Sequence, residues 1–311
     1  MSRPAPRQAL PDLEGRVYVV TGGTGGLGYW ASEQLAAAGA TVVVAARSAE
    51  KGSAALASLA ARVPGADARF VRLDLADLES VAAASAELAT LPRIDALIAN
   101  AGVLSSKGRK ETADGFESMI GTNFLGHFAL IGRMLPALTA HPGTRIVHLG
   151  SISHEFFRLD LDDLQSTARF REFRTYGRSK LAVMTYGFEL DRRLRLSGSP
   201  TASLIAHPGF AVDELAPARD ILPRPKRGAA PVRAAYSVIG QGKDAGALPI
   251  VAAAVDPGAA GGQYWGPDGW RQLKGAPAVV GAKPYARDPA IGRRLWSLAE
   301  DLTGVRYDLD S

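Results

Sequence analysis

The strongest structural signal in this 311-residue chain runs from Val17 to Ala38, with the sequence VYVVTGGTGGLGYWASEQLAAA. Its first four residues are β-branched or aromatic, which is typical of a short strand buried on both faces. A glycine-rich loop follows, and the alanine-rich segment behind it predicts a helix that ends at Gly39. Such a unit can cradle a nucleotide phosphate, because glycines let the backbone approach it and the helix N-terminus presents free N–H groups. Glycine loops also serve as simple tight turns.

The glycine loop fits two spacings, which belong to different groups of enzymes. Both begin at Gly22; the pattern TGxxxGxG continues with Gly26 and Gly28, and the pattern TGxxGxxG continues with Gly25 and Gly28. The loop alone leaves both registers open.

Beyond Gly39, apolar strands alternate with helical segments, which predicts βαβ crossovers and a parallel sheet. We therefore expect an α/β fold: a Rossmann-like doubly wound parallel sheet of about seven strands, with helices on both faces, in a single domain. Residues 1–14 are predicted to form an arm, residues 15–311 the domain, and a segment at about 210–231 a lid. Strands are predicted at 17–20, 41–45, 69–73, 94–99, 146–150, 202–206 and 261–265, and helices at 29–38, 49–62, 77–90, 114–139, 175–196 and 289–302.

The composition excludes several kinds of site. The chain has no cysteine, which excludes disulfides, thiolate metal sites and a cysteine nucleophile, and we see no paired metal-ligand spacing. The segment from Ser2 to Asp12 lacks the apolar core of a signal peptide or membrane anchor, so we expect a cytoplasmic protein. The net charge of +5 is scattered, so we expect no nucleic-acid binding. One modest basic cluster comprises Arg219, Arg224, Lys226 and Arg227.

Tyr176 and Lys180 lie four residues apart on a predicted helix, so their side chains share one face. A nearby ammonium group is expected to lower the pKa of the Tyr176 phenol from about 10. Such a phenol exchanges a proton with a carbonyl or alcohol oxygen near neutral pH. An ordinary pair on a helix surface would give the same pattern.

Polar residues at strand ends support the chemical interpretation of this pair. Ser151 follows the fifth predicted strand and Asn100-Ala101-Gly102 ends the fourth, where carboxyl ends of parallel strands open onto a ligand crevice. A serine there is otherwise a simple turn residue. Asn123 lies inside a predicted helix, where asparagine is unfavourable. It indicates a structural water or a locally distorted turn, unless the position is exposed.

The order of these motifs resembles that of the short-chain dehydrogenases/reductases, from about Gly15 to about Trp265. Asn100-Ala101-Gly102 and the overall size favour the TGxxxGxG register. The branch that the chain resembles most is the retinol-dehydrogenase-like, oxidoreductase-domain branch. That similarity rests on RIVHLGS at 145–151, LDDL at 161–164, YGRSKLA at 176–182 and AHPG at 206–209.

The resemblance implies a catalytic tetrad. Tyr176 would be the general acid/base, Lys180 would lower its pKa and bind the nicotinamide ribose, and Ser151 would orient the carbonyl. Asn123 would hold a water in a proton relay to Lys180, and a hydride would pass between the nicotinamide C4 and the substrate carbon. The implied cofactor-binding residues are Gly22, Thr24, Gly26, Leu27, Gly28, Arg47, Asp74, Leu75, Asn100, Ala101, Gly102, Tyr176, Lys180, Pro208 and Gly209.

Two positions depart from the family pattern. Gly150 replaces the first serine of the usual Ser-Ser pair, which should not affect catalysis. Asp213 stands where relatives often carry a threonine that binds the nicotinamide carboxamide, which changes the expected cofactor contacts and lid conformation.

The end of the second strand favours NADP(H) over NAD(H). An acidic residue there would bind the ribose 2′-hydroxyl and repel a 2′-phosphate. The chain has Arg47 instead, which could pair with a 2′-phosphate; the alternative is a simply exposed arginine.

The substrate is expected to be a hydrophobic carbonyl compound or alcohol, because mostly aromatic and apolar residues follow strands five and six. The expected contacts are Ser153, His154, Phe157 and Phe210, with Phe156, Leu215 and Trp265 as further candidates. For the aromatic residues, core or lid packing is the alternative.

Other functions remain open at this point. The same fold serves non-catalytic dinucleotide-sensing or scaffold proteins, and related enzymes reduce C=C bonds, although the reactive cysteine of that branch is absent here. The family also implies a homodimer through the two long helices. The alternative for Arg192, Arg193 and Arg195 on the second of these helices is a solvated face.

Overall fold

The structure, a computed structural model, describes residues 10–104, 108–222 and 236–309. Its strands are β1 (Val17–Thr21), β2 (Thr41–Ala46), β3 (Ala68–Arg72), β4 (Ala96–Ala99), β5 (Arg145–Leu149), β6 (Ala202–Ala206), β7 (Ala211–Val212), β8 (Gln241–Gly242), β9 (Tyr264–Pro267) and β10 (Pro277–Val279). Eight of them form one sheet in the order β10-β9-β6-β5-β4-β1-β2-β3, and β7 pairs separately with β8. Seven neighbouring strands run parallel and β10 is antiparallel to β9. The predicted doubly wound sheet is therefore confirmed, with one antiparallel edge strand added.

Helices cover both faces of the sheet, as predicted. Alternate residues of β1 show this, because Val19 belongs to the apolar cluster on one face and Val20 to the cluster on the other. No helix within the described ranges is long and apolar enough to cross a membrane. The helices whose bounds lie within the described ranges include α1 (Gly26–Ala37), α2 (Ala49–Arg62), α3 (Leu78–Leu88), α4 (Ser118–Ile120), α5 (Gly126–Thr139), α6 (Glu172–Leu196), α7 (Lys243–Gly246), α8 (Leu248–Val255) and α9 (Pro289–Thr303).

The helix predicted over residues 114–139 starts later and is not regular. The Glu117 carboxylate accepts from the main-chain N–H groups of Met119 and Ile120, so it caps the helix and fixes its start at α4. A π-helical turn, Gly121–Leu125, then separates α4 from α5, and the Gly126 N–H donates to the Gly121 carbonyl. Asn123 lies inside this turn, so the distorted turn predicted from an asparagine in a helix is confirmed.

The last predicted strand, at 261–265, is shifted along the chain. Gly262 has a φ of +74° and its N–H donates to the Ser203 carbonyl, so this part of the chain turns before β9 begins at Tyr264. Pro277–Val279 then pairs antiparallel with β9. This edge strand was missed because its three residues carry no alternating pattern.

The segment expected as a lid lies partly outside the described residues. Its residues 223–231 are outside, as are Arg224, Lys226 and Arg227 of the basic cluster and residues 1–9 of the predicted arm. The described part contains β7 and a short 3-10 turn, Asp213–Leu215.

Candidate active site

The carboxyl ends of β1, β2, β4 and β5 open onto one cleft with a volume of about 490 Å³. Because parallel strands end at the same edge of a sheet, residues distant in sequence meet there. Gly28, Asn123 and Ser151 contact residues of its walls, as described below. The predicted site residues that line it directly are Gly22, Thr24, Gly26, Leu27, Arg47, Asp74, Leu75, Asn100, Ala101, Gly102, Tyr176 and Lys180.

The glycine loop has the geometry of the TGxxxGxG register. A Cβ at Gly28 would collide with the Gly22 carbonyl oxygen, and one at Gly22, where φ is +69°, would lie 2.9 Å from the Ala101 Cα. At Gly25 the backbone is extended and the space around an added Cβ is open. The packing therefore requires glycine at the first and last positions of the motif and leaves Gly25 unconstrained.

The start of α1 presents the partial positive charge of its N-terminus to the cleft, with no side chain of the first turn to neutralise it. Gly25, its N-cap residue, provides no side-chain hydrogen bond, and the first turn carries no acidic residue. The first N–H groups of a helix lack intrahelical partners and attract anions. This cradle fits the pyrophosphate of a dinucleotide, because its backbone is accessible and no carboxylate in the first turn opposes the negative charge.

A buried network fixes the loop to the end of β4. Thr21 Oγ1 accepts from the main-chain N–H groups of Asn100 and Ala101, at 2.9 and 3.0 Å. It also hydrogen-bonds His127 Nε2 at 2.9 Å, and His127 Nδ1 lies 3.0 Å from the Asn123 carbonyl oxygen. Burial lowers the pKa of His127 to about 4, so this ring is neutral near pH 7. Sequence analysis did not single out His127, although its position four residues after Asn123 was a signal.

The Asn123 side chain hydrogen-bonds the segment that follows β4 and holds it in place. Its Oδ1 accepts from the Val103 N–H at 2.7 Å, and its Nδ2 donates to the Val103 carbonyl and to Ser179 Oγ. A Cβ at Gly102 would lie 3.2 Å from Asn123 Oδ1 and 3.3 Å from Lys180 Nζ. Asn123 and Lys180 therefore both border Gly102, at the inner end of the cleft.

The Ser151 hydroxyl acts on the Tyr176 phenol and favours its ionised form. Burial raises the pKa of the Tyr176 phenol, and Ser151 lowers it by less. The prediction that Lys180 would lower this pKa below its ordinary value is therefore wrong for the protein alone, because burial has the larger effect. Ser151 Oγ also accepts from the Ser153 N–H at 3.1 Å, which fixes the hydroxyl at the start of a 3-10 turn, Ile152–Glu155.

Lys180 is buried and reaches the floor of the cleft. Its ammonium group donates to the Leu149 carbonyl, at the end of β5, at 3.0 Å. Burial lowers the pKa of Lys180 to about 8. The preceding residue, Ser179, donates through Oγ to the Tyr176 carbonyl and accepts from Asn123 Nδ2, so it joins α6 to Asn123.

The far end of the cleft is basic. Arg47 is exposed and lines it beside Ser48 and Lys51. Ser48 Oγ accepts from the Lys51 N–H at 3.2 Å and caps α2. Asp74 and Leu75 form the facing wall, and the Asp74 carboxylate is engaged by the Ala76 N–H at 3.0 Å. Lys51 was not predicted as a site residue; its four-residue spacing from Arg47 was the available signal.

The segment after β6 faces the start of α1. Gly209 has a φ of +66° and packs against the Leu273 carbonyl, while the Pro208 carbonyl accepts from Gln241 Nε2 at 2.9 Å. Asp213 forms an ion pair of 2.5 Å with Lys243, a cleft-lining residue that sequence analysis did not identify.

The predicted substrate residues are dispersed. His154 is fully buried, with Nδ1 bonded to the Ser151 carbonyl and Nε2 accepting from the Lys283 N–H, so it holds the loop rather than lining the cleft. Ser153 and Trp265 are also buried, and Trp265 belongs to the core. Phe157 packs against Gly177, next to Tyr176. Phe210 packs edge-on to Tyr236, and Leu215 ends the 3-10 turn after β7.

Comparisons with known proteins agree with this geometry. The profile of the short chain dehydrogenase family matches residues 16–161. Polyprenol dehydrogenase of Mus musculus is 34% identical over 307 residues, covering 95% of this chain and 86% of the relative. Retinol dehydrogenase 12 of Homo sapiens is 32% identical over 297 residues, covering 95% and 89%. The crystal structure of an uncharacterized protein from Mycobacterium Paratuberculosis has a TM-score of 0.77 and 33% identity, covering 96% of this chain and 97% of that one.

Proposed function

The chain belongs to the short-chain dehydrogenase/reductase family of oxidoreductases, and we propose that it interconverts a hydrophobic carbonyl compound and its alcohol with NADP(H) as cofactor. The observation that carries this proposal is that Tyr176 and the buried Lys180 both line the cleft that begins at the glycine loop, with the Ser151 hydroxyl acting on the phenol. A protein that only bound a nucleotide would not need this trio.

Different residues of the cleft would bind different parts of the dinucleotide. The glycine loop and the start of α1 would hold the pyrophosphate, Asp74 and Leu75 the adenosine end, and Lys180 the nicotinamide ribose. Asn100, Ala101 and Gly102 would support the cofactor from the end of β4, and Pro208 and Gly209 from the segment after β6. When bound, the nicotinamide supplies or accepts the hydride.

Tyr176 carries the proton chemistry. In the direction of reduction, its hydroxyl gives a proton to the carbonyl oxygen, which becomes the alcohol oxygen, and the phenolate is then reprotonated. The Ser151 hydroxyl holds the same oxygen beside the phenol. Because burial alone raises the pKa of Tyr176, the phenol stays protonated until positive charge arrives, and the cationic form of the oxidised cofactor would lower that pKa. The relay water would lie beside Gly102 and Lys180, where Asn123, with both side-chain N–H groups bonded to Val103 and Ser179, offers only an oxygen as acceptor.

The basic end of the cleft supports NADP(H). Arg47 and Lys51 bring two positive charges to the position expected for the adenosine ribose, and the Ser48 hydroxyl lies between them in sequence. Guanidinium and ammonium groups pair with phosphate through charge-assisted hydrogen bonds. No acidic side chain occupies the end of β2, where it would repel a 2′-phosphate.

Aromatic side chains near Tyr176 support a hydrophobic substrate. Phe157 packs against the next residue, Gly177, and lies edge-on to Phe173 with ring centroids 5.5 Å apart. Phe173 and Phe156 expose 61% and 70% of their surface. The names of the two relatives, polyprenol and retinol dehydrogenase, denote long apolar alcohols, which is the substrate class that such a rim suits.

A turnover assay tests the proposal. NADPH consumption is measured with retinal, a polyprenal, short aliphatic aldehydes, ketones and quinones, for the wild type, Tyr176→Phe and the core control Tyr18→Phe. We expect turnover of long apolar aldehydes, a loss of about 10²–10⁴-fold in Tyr176→Phe, and near-normal rates in Tyr18→Phe. Tight NADPH binding without turnover of any compound would favour a sensing protein instead, and equal rates in Tyr176→Phe would contradict the mechanism.

A further inference from the structure

Lys243 stands at the start of α1 although it lies far from the glycine loop in sequence. A Cβ placed on Gly26 would be 3.5 Å from Lys243 Nζ. The lysine also lines both the dinucleotide cleft and the neighbouring cavity of about 710 Å³. Gly26 is the first residue of α1, so the ammonium group is beside the N–H groups expected to hold the pyrophosphate.

The two-stranded parallel sheet of β7 and β8 positions Lys243 next to its carboxylate partner, Asp213. Ala211 pairs with Gln241 and Val212 with Gly242 in β7 and β8. The residues that follow these strands are Asp213 and Lys243, and their side chains form an ion pair of 2.5 Å. Their side chains are 44% and 25% exposed, respectively, so neither is locked in the core. The pair is positioned by the backbone and remains open to exchange of partners.

The segment that carries Asp213 is fastened to α1 independently of Lys243. Arg219 contacts the Glu33 carboxylate twice, at 2.5 and 2.7 Å, and its guanidinium lies 4.1 Å from the centre of the Trp30 ring. Glu33 and Trp30 both belong to α1. This anchor holds residues 211–222 against the helix whether or not the Asp213 ion pair is formed.

We propose that Lys243 is a pyrophosphate-binding residue and that Asp213 is the carboxylate it exchanges for the cofactor. The proposal rests on the proposed dinucleotide function of the cleft. In the protein alone, Asp213 neutralises the lysine. An arriving pyrophosphate brings negative charge to the same ammonium group, so the Asp213 carboxylate repels the ligand and competes with it. The aspartate thereby weakens cofactor binding.

Binding measurements test this proposal without any turnover. Dissociation constants for NADPH are measured by its fluorescence, and those for 2′-AMP, which has the adenosine end but no pyrophosphate, by calorimetry. Lys243→Met should weaken NADPH binding by about tenfold or more, the loss expected for one charged contact to phosphate. It should leave 2′-AMP binding unchanged, which also shows that the variant is folded. Asp213→Asn keeps an acceptor for Lys243 but removes the charge, so it should tighten NADPH binding about threefold.

The control for removal of a positive charge is Lys283→Met, because Lys283 pairs with Glu155 away from the loop; its NADPH affinity should match that of the wild type. Equal NADPH affinity in Lys243→Met and the wild type would overturn the assignment, as would an equal loss for 2′-AMP. Unchanged or weaker binding in Asp213→Asn would overturn the exchange. If the wild type itself bound no dinucleotide, the proposed function would fail first, so the two failures are distinguishable.

Discussion

Asn100 donates two hydrogen bonds to Thr21, one from its side chain and one from its main chain. The Asn100 side-chain amide donates to the Thr21 carbonyl at 2.8 Å, and the Asn100 main-chain N–H donates to Thr21 Oγ1 at 2.9 Å. Both residues are buried, at the carboxyl ends of adjacent strands. The two bonds fix the glycine loop to the opposite wall of the cleft before any ligand is present.

Replacing Asn100 by alanine should therefore destabilise the protein. The change removes the amide that the buried Thr21 carbonyl accepts from, and loss of a partner for a buried polar group costs about 1–3 kcal/mol. Urea unfolding measures the difference. Thr90→Ala, which removes an exposed hydroxyl bonded to the Glu87 carbonyl, is the control and should change stability by less than about 0.5 kcal/mol. Equal effects of the two substitutions would contradict the structural role of Asn100.

Gly28 and Gly25 should respond differently to alanine. A Cβ at Gly28 collides with the Gly22 carbonyl, so Gly28→Ala should lower the free energy of unfolding by about 1–3 kcal/mol through overpacking. Gly25→Ala has open space and an extended backbone, and should leave stability nearly unchanged. Urea denaturation of both variants decides between the two registers of the motif, because TGxxGxxG would require glycine at position 25.

Arg47→Ala should separate the two nicotinamide cofactors. If Arg47 pairs with the 2′-phosphate, NADPH affinity should fall by about 10- to 100-fold, corresponding to the ~1.5–3 kcal/mol of a hydrogen bond to a charged group. NADH affinity should not change. Arg62→Ala, at the exposed end of α2, is the matched control. Unaltered NADPH binding in Arg47→Ala would remove the basis for NADP(H) preference.

Lys180 should make stability depend on pH in the alkaline range. Burial lowers its pKa from 10.5 to about 8, so between these values the unfolded chain binds more protons than the folded one. The contribution of Lys180 to stability is therefore least favourable below pH 8 and improves as the pH rises towards 10.5. Relative to Lys180→Met, the wild type should gain up to about 3 kcal/mol over that range, since each unit of pKa shift is worth about 1.4 kcal/mol.

The measurement is a series of urea unfolding curves from pH 7 to pH 10 for both proteins. The half-exposed Lys283→Met controls for the loss of a lysine. A stability difference between wild type and Lys180→Met that stays constant with pH would show that Lys180 is not buried in its charged state at neutral pH.

Elements whose bounds are set by residues close in sequence could be predicted from the sequence. Helix α2 has the predicted bounds, because Ser48 caps it and its apolar residues face one side. The position of the cleft could be predicted in the same way, because the carboxyl ends of parallel strands meet at one edge of a sheet. The distorted turn at Asn123 could also be predicted, because asparagine is a poor helix former and is unfavourable inside an apolar helix.

Features set by distant contacts could not be predicted in this way. Nothing near Lys243 in sequence shows that β7 and β8 carry it to Gly26. The burial of His154 depends on the chain around Lys283 and Tyr285, more than a hundred residues later. The direction of the Tyr176 pKa shift depended on how deeply the phenol is covered, and spacing to Lys180 cannot report that.

Because of the π-helical turn, the position of Asn123 depends on the number of residues between α4 and α5. A π turn is a regular helix with one residue inserted, and successive helix residues are rotated by about 100°. Deleting Thr122 would let α4 and α5 join as one continuous helix and would swing the neighbouring asparagine away from Val103. A single codon deletion would thus remove this part of the site while leaving the helix intact.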